Sequence, residues 1–122
     1  LPAGQATQAS VQAALLAQIE TSHCGLLPAA QLPAMLAVQQ QRDRRMAERL
    51  LAAPTPAVLL AGAFHVRRDL GVPLHLQDLA APGGTERVLI LAEVGQAVSA
   101  ERADFVWYTP AMPAQDHCAS MR

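Results

Sequence analysis

The sequence has no lysine: its nine basic residues are all arginine. Aromatic residues make up only 3% of the chain, so a core must rest on aliphatic packing, much of it alanine and leucine. No apolar run approaches the roughly 20 residues that a membrane-crossing helix needs. The net charge is −1 and the pI about 6.4, without the basic excess that nucleic-acid binding calls for, so nucleic acid is not expected as a partner. No signal peptide is visible and residue 1 is leucine, so the expectation is a processed or truncated product. Cysteine is scarce. Cys24 and Cys118 each follow a histidine, His23 and His117. Three readings stay open for them: one disulfide, free thiols, or a metal site. The last is disfavoured because zinc motifs normally separate their ligands by short spacers.

What is present fits one domain: 122 residues, 52% of them hydrophobic. Residues 1–7 read as a loose leader. Ser10 is a candidate N-cap, and apolar residues from Val11 to Ile19 recur at helical spacing, predicting a helix over about 8–22. Gly25 suits the C′ position that ends it. A second helix is expected from Pro28 to about Ala53, with Pro33 either kinking its first turn or moving its start. On a wheel at about 100° per residue, Leu32, Met35, Leu36, Met46, Ala47 and Leu50 share one face. Gln39 and Asp43 fall near the middle of that face, while Gln41, Arg44, Arg45 and Glu48 fall opposite. A carboxylate pointing toward a core needs a partner, a hydrogen-bond network or a wet cavity. Asp43 and Gln39 therefore either line a site or overhang the core edge in water.

The stretch from Ala57 to Leu76 reads as the organiser of the chain. An apolar run, Ala57 to Ala61, lies between Pro56 and Gly62 and predicts a strand buried on both faces. Gly62 is expected to allow a sharp turn, placing His65 at a strand's carboxyl end, where α/β folds collect ligands. A short helical stretch to Leu70 and another from Pro73 to about Leu79 follow. His75 reads as a helix-surface residue. Pro82, Gly83 and Gly84 suggest a tight connection. Arg87 to Glu93 and Asp104 to Tyr108 read as two further strands. The expected class is α/β: a small sheet of about three strands with two N-terminal helices. So few strands leave exposed edges, which suggests that more strands are supplied by the same chain or by a second one.

The segment Ala61 to Leu76, with Gly62, His65, Arg67, Arg68, Asp69, Gly71 and Pro73, resembles the signature of the ChaN-like haem-binding uptake lipoproteins. So does His23-Cys24-Gly25 followed by Gln39, Arg42, Asp43, Met46 and Ala47. Asp104 to Pro110 and the late Cys118 fit the same pattern. The resemblance implies the C-terminal half of a larger α/β domain, of the kind shared with the Tiki and erythromycin-esterase group. It implies haem as cofactor and a place at the bacterial cell envelope, in the periplasm or attached to the outer membrane, in iron or haem uptake. Such proteins carry two Gly-x-x-His-like motifs, and only the second is present here. Neither the first, a Gly-Glu-x-His after a strand, nor a lipid-bearing cysteine is found, so half of the expected site and the envelope anchor would lie outside this sequence.

On this reading His65 is the leading candidate for a metal, haem-propionate or catalytic role; otherwise it is a structural histidine bonding its turn. Tyr108, the only tyrosine, is a candidate iron ligand beside His65, because the family is thought to ligate haem through a tyrosine with help from a partner subunit. Arg67 and Arg68 are candidates to clamp propionates. Gln39 and Asp43 would complete the pocket, with Glu93 a weaker candidate. A homodimer or swapped assembly is the expected partner arrangement. The competing expectation is a hydrolase in which His65 works with Asp43 or Glu93, inert without the first motif.

Overall fold

The structure, a computed structural model, describes residues 1–80 and 85–121, so the connection expected at Pro82, Gly83 and Gly84 lies outside the described residues. The elements in order are α1 (Ala9–Ser22), a 3-10 turn (Ala29–Gln31), α2 (Leu32–Ala52), α3 (Ala63–Val66), α4 (Val72–Leu79), β1 (Leu89–Glu93), β2 (Phe105–Thr109) and a final 3-10 turn (Ala119–Met121). The class is mixed α/β.

α1 buries Val11, Leu15 and Ile19, one residue per turn. Ser10 lies inside its first turn; the N-cap is Gln8, which makes no side-chain cap bond. The C-terminus closes differently from expectation. Cys24, at φ 60°, takes the left-handed C′ position usually given to glycine, and Gly25 follows at φ 67°. The Cys24 N–H donates to Thr21 O and the Gly25 N–H to Glu20 O, both at 3.0 Å, forming the paired bonds of a Schellman motif. α2 starts after the 3-10 turn. Pro33 sits in its first turn, where a missing N–H costs nothing.

Residues 4–7 are not a loose leader. Asp78 on α4 accepts the N–H groups of Gln5 and Ala6 at 2.7 and 3.0 Å, and the Gln40 side-chain amide donates to Ala6 O at 2.7 Å. Ala6 is buried and packs with Val11, Leu15, Leu70 and Leu74 in a cluster that α1 and the start of α4 share with Leu36 of α2. A second cluster, Ala47, Val72 and Leu76 with Met46, Leu50, Leu59 and Leu79, joins α2 to α4. A third, Val88, Ile90 and Ala103 with Val66 and Val98, seats the sheet on α3.

β1 and β2 pair in parallel, with Leu89 opposite Phe105 and Glu93 opposite Thr109. Two strands are present among the described residues where about three were expected. The segment 57–61 is extended without a ladder partner, with Val58 90% and Leu60 92% exposed. An apolar run between breakers has the composition of a buried strand, but a strand forms only where a neighbour satisfies its backbone. Leu59 turns inward, onto the α2–α4 cluster, and Ala61 is half-buried. A disulfide between Cys24 and Cys118, 94 residues apart in sequence, ties the C-terminal tail to the end of α1. Among the described residues no helix is long and apolar enough to cross a membrane.

Candidate functional site

Asp43 lies on the buried side of α2, between Gln40 and Ala47, with its side chain fully enclosed. His65 lies in α3, the single turn that follows the extended segment. The His65 N–H donates to Gly62 O at 2.9 Å, which fixes the backbone of the turn. These two placements bring His65 Nδ1 to 2.5 Å from Asp43 Oδ1. Burial pushes the Asp43 carboxyl up to about 6, against an ordinary 3.8, although the hydrogen bond and charge of His65 act in the opposite direction. Asp43 Oδ2 is buried and has no hydrogen-bond partner.

Gly62 does not supply the sharp turn expected of it. Its φ of −62° and ψ of 154° are open to any residue, and a Cβ there would meet only the His65 ring at 3.8 Å. The glycine that matters is Gly71. A Cβ on Gly71 would collide with the carbonyl group of His65 and lie 2.9 Å from Phe64 O. The start of α4 is thus packed directly against the turn that presents the imidazole.

The outer side of His65 opens onto a cavity of about 560 Å³. Met46, Leu50, Ala53, Ala57, Val58 and Leu59 form its apolar walls, and Arg42, Arg45 and Arg49 of α2 also line it. These three arginines follow at helical spacing, so α2 lines one side of the cavity with a row of arginine side chains. Arg45 is shared with Glu48 at 3.6 Å. Among the described residues no ion pair engages Arg42 or Arg49.

The other expected residues sit elsewhere. Arg67 donates Nε and Nη2 to the two Asp69 oxygens at 2.9 and 2.7 Å, and its guanidinium lies 5.4 Å from the centre of the Phe64 ring. Burial acts to raise the Asp69 carboxyl, but Arg67 outweighs it and holds that group below its ordinary range. Arg68 bonds Asp104 and reaches Glu86 at 4.0 Å, which ties the segment after α3 to the residues leading into β2 and β1. Neither arginine lines the cavity. Tyr108 is half-exposed on β2, opposite Ala92, and Glu93 accepts the Met112 N–H at 3.3 Å at the end of β1. Gln39 is half-buried and does not line the cavity; its neighbour Gln40 is the buried glutamine. His75 is buried rather than on the surface, and burial pushes its pKa down. The cavity arginines went unremarked as a set in the sequence, although their helical spacing was there to find.

A family model described as haem-binding uptake, Tiki superfamily, ChaN matches residues 1–76. A solved structure described as cofacial haem binding to ChaN of Campylobacter jejuni superposes with a TM-score of 0.71 at 28% identity, covering 87% of this chain and 41% of that one. The chain therefore spans about two fifths of the length of the structure it matches. A comparison with curated proteins gives no match. The cavity-lining Arg42, Met46 and His65, and the buried Asp43, all lie within the matched residues, and the chain belongs to the ChaN family of the Tiki superfamily.

Proposed function

We propose that the cavity between α2 and the 57–65 segment takes haem, and that the whole protein serves haem or iron uptake at the bacterial envelope as a lipid-anchored protein. One observation carries the reading: an apolar cavity of about 560 Å³ is lined by His65 and by three arginines of α2 in the same space. That volume is within the roughly 300–1,000 Å³ range of cofactor and small-molecule sites. The donor set also fits. When bound, haem would supply an iron that accepts a nitrogen or oxygen donor such as His65, and propionates that suit planar guanidinium partners.

The roles of the chain's own residues follow. Asp43 accepts the Nδ1 proton of His65, which fixes the tautomer and leaves Nε2 as the ligating nitrogen. Arg42 and Arg49 meet the propionates, while Met46, Leu50 and Leu59 exclude water from the macrocycle. Tyr108 is the alternative oxygen ligand, brought to a haem through a second copy in a cofacial arrangement like that described for the Campylobacter jejuni protein. The extended segment 57–61 would find its ladder partners in a larger α/β domain.

Titration of the chain with haemin, followed by the Soret band, tests the reading. A saturable shift is expected, and His65→Ala should weaken binding by roughly 10–100-fold. A band that grows without saturation, or one unaffected by His65→Ala, Tyr108→Phe and Arg42→Ala alike, argues against haem at this cavity.

A second reading rests on a separate observation: a buried carboxyl with a raised pKa bonded to a half-exposed imidazole is also an acid–base pair. In that case His65 acts as general base in a hydrolytic reaction. Turnover of a chromogenic ester that is abolished by both His65→Ala and Asp43→Asn supports this reading; turnover unchanged by either substitution argues against it.

A further inference from the structure

We propose that the Cys24–Cys118 pair is the closed form of a copper(I) site, which opens when the disulfide is reduced. Three potential ligand atoms, from Cys24, Cys118 and His117, lie within 4.8 Å of one another. His117 Nε2 is 3.5 Å from Cys118 Sγ, and a fourth soft atom, the thioether sulfur of Met121, is 3.8 Å from Cys24 Sγ. Two ligands on opposite sides of one thiolate-bound ion stand about 4.6 Å apart, at a metal–sulfur distance of about 2.3 Å. With the disulfide reduced, the two sulfurs move apart to enclose an ion, while His117 and Met121 already lie beside them.

The backbones that carry these sulfurs are held by bonds other than the disulfide. Cys24 is set in its left-handed conformation by the Schellman bonds at the end of α1, and His23 beside it is within 2.7 Å of Ile19 O through Nδ1. On the other side, the Cys118 N–H donates to Asp116 Oδ1 at 3.0 Å, the Ala119 N–H to Asp116 O at 3.1 Å and the Met121 N–H to Cys118 O at 3.0 Å. Breaking the sulfur–sulfur bond leaves each turn its own restraints, and the Met121 thioether against Cys24 Sγ is the contact that remains between them. Cys118 is buried and His117 exposed, which gives the site a closed floor and an open entry.

The donor set selects the metal. Two thiolates and an imidazole would suit zinc as well as copper, but a thioether is a soft ligand that favours copper(I). The sulfur chemistry balances with a dithiol as reductant. The dithiol gives two electrons and two protons to the protein disulfide, leaving two protein thiols and its own cyclic disulfide. Each protein thiol then releases its proton as it binds the metal. In the oxidised protein both sulfurs are consumed in the bond and the site is closed.

The test compares oxidised and dithiothreitol-reduced protein, desalted without air, in competition with bicinchoninate for copper(I). Reduced protein is expected to withdraw about one equivalent of copper(I) with a new sulfur-to-copper ultraviolet band, and oxidised protein none. Met121→Leu should weaken copper(I) binding by about tenfold and leave zinc(II) affinity unchanged. Reduced protein with both thiols alkylated by iodoacetamide provides the control, with folding checked by far-ultraviolet circular dichroism. The proposal is overturned if reduced and alkylated proteins retain copper(I) equally, if oxidised protein binds it as well as reduced, or if reduced protein holds zinc(II) but not copper(I).

Discussion

His65 Nδ1 and Asp43 Oδ1 stand 2.5 Å apart, joining the short helix α3 to the middle of α2 through a side-chain hydrogen bond. One oxygen of Asp43 is used; the other is buried without a partner. The carboxylate orients the imidazole and has no surface role of its own. Replacing it by alanine should leave the ring free to rotate and lower haemin affinity by roughly 10–100-fold, the usual effect of losing the group behind a ligating histidine. Asp43→Asn, which keeps the shape but not the charge, should lose less. Spectrophotometric titration of both variants checks the order.

The raised pKa of Asp43 makes a prediction about pH. The folded state holds the Asp43 proton up to about 6, whereas the unfolded state releases it near 3.8. Between those values the native state binds more protons than the unfolded one. The stabilisation from Asp43 is therefore fully present below about pH 3.8 and is lost as pH rises to about 6. Asp69 and Asp104, whose pKa values are lowered, contribute in the opposite direction, with stabilisation lost as pH falls. Urea unfolding of the wild type and Asp43→Asn across this range isolates the term: the wild-type advantage should shrink with rising pH and level off above about 6.

The two sets of arginines should separate affinity from stability. Arg42 and Arg49 face the cavity without an ion-pair partner among the described residues, so replacing both by alanine should weaken haemin binding by about tenfold and barely move the unfolding midpoint. Arg67 is committed to Asp69 through two hydrogen bonds. Arg67→Ala should leave haemin affinity unchanged while lowering stability by about 1 kcal/mol. The same titration, paired with thermal unfolding, distinguishes these outcomes.

Gly71 supplies a further test of the site's scaffold. An added methyl group would strike the backbone of the turn that carries His65, which is not a flexible neighbour. Gly71→Ala should cost about 1–3 kcal/mol and shift His65 away from Asp43. Gly62→Ala, with ordinary space and ordinary dihedral angles, should be tolerated. Thermal midpoints of the two variants give the comparison.

Much of the helical half was legible in the sequence because its signals are local. Spacing from Val11 to Ile19 gave α1, and the wheel of α2 placed Asp43 inward, where it is fully enclosed. The wheel could not choose between Gln39 and Gln40, since they flank Asp43 by about 40° and 60° on opposite sides, and the long-range bond to Ala6 O decides which one is buried. Cys24 was not expected at a left-handed position because the motif normally takes glycine, and Gly25 stood next to it. The segment 57–61 had the composition of a strand but no neighbour to make it one. Arg67 and Arg68 were candidates to clamp propionates, yet their partners Asp69, Asp104 and Glu86 claim them.

The central claim is that His65, held by Asp43, meets the iron of a haem seated against α2. Resonance Raman spectra of the haemin complex, reduced to the ferrous state, address this most directly. An iron–histidine stretching band in the wild type, lost in His65→Ala and kept in Tyr108→Phe, is the result predicted here. A complex that lacks the band in the wild type, or keeps its spectrum in His65→Ala and loses it in Tyr108→Phe, would contradict the assignment.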